Sequence, residues 1–224
     1  MGDKIRMMFQ SQKHVFLNAL ILAIFIFAVG ILLGYWFESL RVAQIDSLYI
    51  QSDLNLLDAK IMSDMISQKF NCNIAIQENI DFGNRVYEEA RLLDRYENAQ
   101  RISENIKTQH YKYDLLRAVF FINSLKIKKQ CNASFHIVVY FYKYEEQDAN
   151  TKPKQAVFSN VLMELKNKEG DNVILIPMAG DIDFSSIKSL IKNYNITSLP
   201  TILIDEKIKV EDVKTVADLE KLIK

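Results

Sequence analysis

From Val15 to Phe37 the chain reads VFLNALILAIFIFAVGILLGYWF, 23 residues with no charge and one side-chain amide. As a helix rising about 1.5 Å per residue it exceeds the ~30 Å hydrocarbon core of a bilayer, and few other structures can bury so uniform a run. A cleaved secretory signal is the alternative, but its apolar region spans only about 7 to 15 residues before a small-residue cleavage site. Here Tyr35, Trp36 and Phe37 close the run instead, as an interfacial aromatic belt does. Lys4, Arg6 and Lys13 precede it, whereas Glu38 and then Arg41 follow. By the positive-inside rule residues 1–14 are cytoplasmic and the rest of the chain is extracytoplasmic. The expectation is a single-pass protein of the cell membrane. Gly30 and Gly34 form a Gly-x-x-x-Gly that allows a homodimer through close helix approach, although glycine is common in membrane helices without that role.

Over the whole chain 28 Lys plus Arg balance 28 Asp plus Glu, so no net field favours a polyanion and nucleic acid is not expected as a partner. With 6 Gly, 3 Pro and no low-complexity tract, long flexible linkers are not expected either.

Residues 38–69 place Leu40, Ile45, Leu48, Leu57, Ile61 and Met65 mostly three and four apart with no Pro or Gly between them, which predicts a helix leaving the membrane. Asn71-Cys72-Asn73 is turn-like. Asp81 then stands as the cap of a second helix running to about Ile106, with Val86, Leu93, Tyr96 and Ala99 on one stripe. The two make a helical hairpin over 38–106. A third helix is predicted from Lys107 to Lys129, favoured at its end by Lys126, Lys128 and Lys129. There the period changes. Phe135 to Tyr142, FHIVVYFY, has the composition of a strand covered on both faces. Helix (155–168), strand (172–178), helix (184–193), strand (201–205) and a last helix (216–223) follow, with Asp183 and the Thr215/Asp218 pair as caps. Such alternation predicts an α/β fold.

The strand ending YFY, the helix opening at Pro153, the strand VILIP, a further helix and then Ser198-Leu199-Pro200-Thr201 leading into Ile202-Leu203-Ile204 together resemble the thioredoxin-like family over residues 107–224. The whole chain resembles membrane-anchored, archaeal thioredoxin-like proteins with a helical insert. The resemblance implies a central mixed sheet flanked by helices, a cis bond before Pro200, and a groove in which Leu199, Pro200 and Thr201 face the active-site turn. Redox members carry Cys-x-x-Cys there, at a helix N-terminus that lowers the thiol pKa. In this chain the matching positions hold Lys152, Pro153, Lys154 and Gln155. No thioredoxin-type dithiol chemistry is therefore expected, and no catalytic residue offers itself in place of it.

The only cysteines are Cys72 and Cys131. In an extracytoplasmic domain an even pair reads as a structural disulfide tying the hairpin to the thioredoxin-like part. Two buried thiols, or Cys131 as a lone reactive thiol, are the alternatives. His14, His110 and His136 lack metal-ligand spacing, so no metal or cofactor is expected. Asp181 and Asp183 read as turn and cap residues rather than as paired acids. Asn132-Ala133-Ser134 and Asn195-Ile196-Thr197 match the glycosylation sequon.

Two function classes follow, besides an enzyme with relocated chemistry. One is a non-catalytic protein-binding module using the degenerate groove; the other is a structural subunit of an envelope complex docking through the hairpin. An exposed apolar patch beside Pro200 favours the first, and one on the hairpin favours the second.

Overall fold

The computed structural model describes residues 2–68, 71–99, 104–144, 148–212 and 215–223, with side chains except at 2–13, 41–49, 92–99 and 104–106. The chain divides into two units, Met1–Gln51 and Ser52–Lys224. Helix α1 (Gly2–Ser67) supplies the described part of the first. Within it, His14–Leu40 is long and apolar enough to cross a membrane, and none of it is buried by the rest of the chain. A helix apolar on every side is one that a membrane or a large apolar core can bury. A Cβ at Gly30 or Gly34 would meet no other atom within 4 Å, so in the single chain this surface is open. Lys4, Arg6 and Lys13 lie outside the described side chains.

The second unit holds the end of α1, then α2 (Cys72–Ala99), α3 (Glu104–Cys131), β1 (His136–Tyr142), α4 (Thr151–Glu169), β2 (Val173–Ala179), α5 (Ser185–Asn193), β3 (Thr201–Ile204), β4 (Ile208–Val210) and α6 (Val216–Glu220). The sheet order is β2-β1-β3-β4. β1 runs parallel to β2, with Tyr140 opposite Pro177, and antiparallel to β3, with Phe141 opposite Thr201. The sheet is mixed, as expected. Alternation divides β1 between two cores: Ile137, Val139 and Phe141 point to the side of α3 and α5, Val138 and Tyr140 to the side of α4 and α6. The first of these cores continues through Phe120 and Phe121 of α3 and Phe82 and Val86 of α2 to Ala59 and Ile66 of α1. Helices and sheet thus share one apolar interior.

Several boundaries differ from expectation for identifiable reasons. α2 begins at Cys72, not Asp81, because Asn71 Oδ1 accepts the N–H of Asn73 at 3.0 Å and caps the helix nine residues earlier. Asp81 lies inside α2, accepting from Gln77 Nε2 at 3.0 Å. Leu93, Tyr96, Ala99 and Ile106 lie outside the described side chains. Asp183 does not cap α5; it pairs with Lys188, and Phe184 occupies the cap position. The other cap stands, with Asp218 accepting the N–H of Thr215 at 3.1 Å. α4 starts at Thr151, four residues before Gln155, because Asp148 Oδ2 accepts the N–H groups of Asn150 (3.1 Å) and Thr151 (2.7 Å). Strand β4 was not expected. It is three residues long and follows a turn in which Asp205 (φ 48°) and Glu206 (φ 62°) take left-handed backbone, so neither composition nor alternation announces it.

The spaced apolar residues of α1 do not form the face that packs. Leu57, Ile61 and Met65 point away from the protein, 55%, 50% and 42% exposed, and Leu54 lies with them at 55%. Buried instead are Ser52, Asn55, Ala59 and Ile66. Polar bonds accompany that burial: Asn55 Nδ2 donates to Glu89 Oε1 of α2 at 2.6 Å, Asn123 Nδ2 of α3 donates to the carbonyl of Ala59 at 2.7 Å, and Lys126 Nζ donates to Ser63 Oγ at 2.8 Å. Ile45 and Leu48 lie outside the described side chains.

Candidate functional site

Register brings the resemblance-derived residues to one sheet end. Thr201 opens β3 opposite Phe141, which places Pro200 level with the end of β1, and α4 starts from the loop that follows that end. The bond between Leu199 and Pro200 is cis. Lys152, Pro153 and Lys154 are exposed in the first turn of α4. Gln155 is not: its Oε1 accepts the N–H of Lys143 at 2.7 Å while its Nε2 donates to the Lys143 carbonyl at 3.2 Å. The backbone carbonyl of Gln155 in turn accepts from Tyr140 Oη at 3.1 Å. Where the resemblance puts a second cysteine, this side chain clamps the loop after β1 to the helix.

Across from it the surface is turned inward. Pro200 and Thr201 are buried, and Thr201 Oγ1 donates to the carbonyl of Ser198 at 2.6 Å. Leu199 is half-buried; a Cβ on Gly180 would sit 3.0 Å from Leu199 Cδ2, so the leucine covers that glycine. Among the described residues, Thr197 and Ser198 are the exposed side chains beside Pro200, and both are polar.

Cys72 and Cys131 form a disulfide with Cα atoms 5.3 Å apart, joining the start of α2 to the end of α3. Asp181 accepts the N–H of Tyr144 at 2.9 Å, far in role from a partner acid for Asp183. His136 Nδ1 lies 2.7 Å from Asp205 Oδ2, and Lys128 Nζ (2.7 Å) and the Ile137 N–H (2.9 Å) donate to Oδ1. Burial raises the pKa of Asp205, but these donors outweigh it and hold the carboxyl below its ordinary value. The cluster pins the β3–β4 turn to β1.

One group of polar residues was not anticipated. On α3, His110, Asp114 and Arg117 fall at i, i+4 and i+7 and are all buried, Asp114 completely. Arg117 Nη1 donates to Asp114 Oδ1 at 3.2 Å, and the same oxygen accepts the N–H of Ala179, also at 3.2 Å, fixing the end of β2. His110 Nε2 lies 3.3 Å from Asp114 Oδ2 and 2.8 Å from Tyr142 Oη, and the imidazole stacks on Tyr144 with ring centres 3.9 Å apart. The Arg117 guanidinium covers the ring of Tyr113 at 4.4 Å. Burial works against its charge, but Tyr142, Asp114 and Tyr113 outweigh it and the pKa of Arg117 lies above its ordinary value. Beside this group a cavity of about 420 Å³ opens between α2 and α4, along the outer edge of β2. Sequence reading weighed His110 only as a metal ligand. The signal that could have found the group was a 3–4 spacing of ionisable residues within an otherwise core-facing helix.

No protein-family model and no curated protein sequence matches the chain. Among solved structures, a malarial protein is similar at 22% identity over 40% of this chain and 93% of its own, with a TM-score of 0.32. Thioredoxin O2 from Arabidopsis thaliana, in its oxidized state, is similar at 24% identity over 46% of this chain and 83% of its own, also with a TM-score of 0.32.

Proposed function

We propose that the protein is a single-pass, extracytoplasmic structural subunit whose thioredoxin-like part carries no dithiol chemistry and which docks another membrane protein through α1. The observation that carries this is the outward stripe Leu54, Leu57, Ile61 and Met65, four aliphatic side chains at three- and four-residue steps, each at least 42% exposed. A contiguous exposed apolar stripe marks an interaction surface. No comparable patch flanks Pro200 among the described residues, so the groove is the weaker of the two docking surfaces. The partner is a helix with an aliphatic stripe and basic flanks, since Asp58 and Asp64 border the stripe with Lys60, while Asp53 beside them is paired with Lys112 at 3.0 Å. A second copy of this chain would set carboxylates against carboxylates.

The test is photocrosslinking in native membranes, with a photoactivatable residue in place of Leu57 or Ile61, and separately of Lys154 or Ser198. Adducts of one discrete mass from the α1 positions, lost on Leu54→Asp, support the reading. Adducts from Lys154 or Ser198 alone would transfer it to the groove, and an adduct of twice the chain mass would replace the partner by a second copy. Insulin reduction should remain at background, because the two cysteines are joined and both lie outside the 152–155 turn.

A further inference from the structure

The cavity between α2 and α4 is independent of the docking stripe and has the make-up of a ligand site. At about 420 Å³ it falls in the small-molecule range of roughly 300 to 1,000 Å³. Its walls are aromatic and apolar: Tyr87 of α2, Tyr140 and Tyr142 of β1, Met163 of α4 and Pro177 of β2. Among the described residues that line it, the charged and ionisable nitrogen groups are Arg91 near the exposed side, His110 and Arg117, and none is an Asp or Glu. Asp114 stands behind Arg117 rather than in the wall.

Arg117 is the feature that structural packing alone leaves unexplained. It is 6% exposed, yet its Nε–H has no hydrogen-bond partner among the described residues. A buried donor left unpaired is costly, by roughly 1 to 3 kcal/mol or more when charged, so such a group calls for an acceptor. Its Asp114 bond and its seat on the Tyr113 ring fix the guanidinium in orientation at the cavity wall. A guanidinium matches a carboxylate or a phosphate, and the apolar walls favour the carboxylate, which carries the smaller charge.

We propose that this cavity binds a small amphipathic carboxylate, with its carboxylate on Arg117 and its apolar body between Tyr87, Tyr140 and Met163. Pro177 adds to this arrangement from the edge strand. Having no N–H, it presents apolar surface where any other residue would present an unpaired donor. The Tyr142 hydroxyl, held at 2.8 Å by His110, is a second polar group at the inner end.

Titration calorimetry on the full-length protein in nanodiscs tests this with a matched pair of probes, 4-phenylbutyrate and 4-phenylbutanamide. The carboxylate should bind at least about tenfold more tightly than the amide, the range expected of one charge-assisted bond. Arg117→Met should abolish that preference. Because this change strands Asp114 and can unfold the protein, Met163→Trp serves as the second variant; it fills the cavity from the α4 side without touching the ion pair, and it should also reduce carboxylate binding about tenfold or more. Equal binding of the two probes, carboxylate binding that survives Met163→Trp, or no carboxylate binding at millimolar concentration would each overturn the assignment.

Discussion

The two faces of α1 beyond residue 51 are not told apart by hydropathy, because both carry large apolar side chains. The face that packs carries Ser52, Asn55, Ala59 and Ile66, with Leu56 and Met62 partly buried against the core; the face turned outward carries Leu54, Leu57, Ile61 and Met65. What marks the inward face is its polar and small residues: Ala59 lets α3 approach closely enough for Asn123 to bond its carbonyl. The inward face is thus specified by shape and hydrogen bonding as well as by apolar content, and the outward stripe is the surface that the docking proposal uses. Hydropathy finds a helix and an apolar stripe, but not what the stripe packs against.

The contrast can be broken most severely at the disulfide. Cys72 and Cys131 close a loop of 59 residues between the two helices that receive the inward face, and Cys72→Ser with Cys131→Ser should lower unfolding stability by up to about 4 kcal/mol in the chain-entropy model. Denaturant titration of the two proteins measures this directly, and an unchanged midpoint would show that the helix interface holds without the link.

Next in size is Ala59→Leu, which inserts three carbons at a 3% exposed site whose own carbonyl accepts a bond. A loss of about 1 to 3 kcal/mol is expected from overpacking. The mirror change, Leu57→Asp on the outward face, should stay within about 0.5 kcal/mol while removing the crosslinked partner. If Leu57→Asp unfolded the protein and Ala59→Leu did not, the faces would be assigned the wrong way round.

The smallest effect is a pH dependence at the polar seam. Burial raises the pKa of Glu89 above its ordinary value, against the lowering effects of the Asn55 bond and Arg85. For an acid whose folded pKa is raised, stability is fully present below the unfolded value of about 4.5 and is lost as pH rises through the folded one. Stability measured across that window should therefore decline toward neutral pH by this contribution, and Glu89→Gln should flatten the decline. A slope unchanged by Glu89→Gln would place its origin elsewhere.

Much of the sheet was legible because its strands are short runs of β-branched and aromatic residues between helices, and the cores on both faces of β1 follow from FHIVVYFY. The turn Asn71-Cys72-Asn73 was legible too, but its amide was read as a break between helices when it caps the second one. β4 and the buried group on α3 were not. Ile208–Val210 becomes a strand only because β3 offers an edge, and Arg117 is singular only once the tertiary fold surrounds it. The long apolar helix and the cysteine pair were the most readable features, since an uninterrupted apolar run shows in the first and a count of two in the second.

Gln155 bears on whether a dithiol could be built into the start of α4. Its amide holds both the N–H and the carbonyl of Lys143, so the loop after β1 now depends on the side chain that stands where the resemblance places a thiol. Restoring cysteines at 152 and 155 would remove that clamp in the same step that supplied the sulfur atoms. The two substitutions would yield a dithiol on a loosened helix start, and the one at 155 made alone would remove the clamp without supplying a pair of thiols.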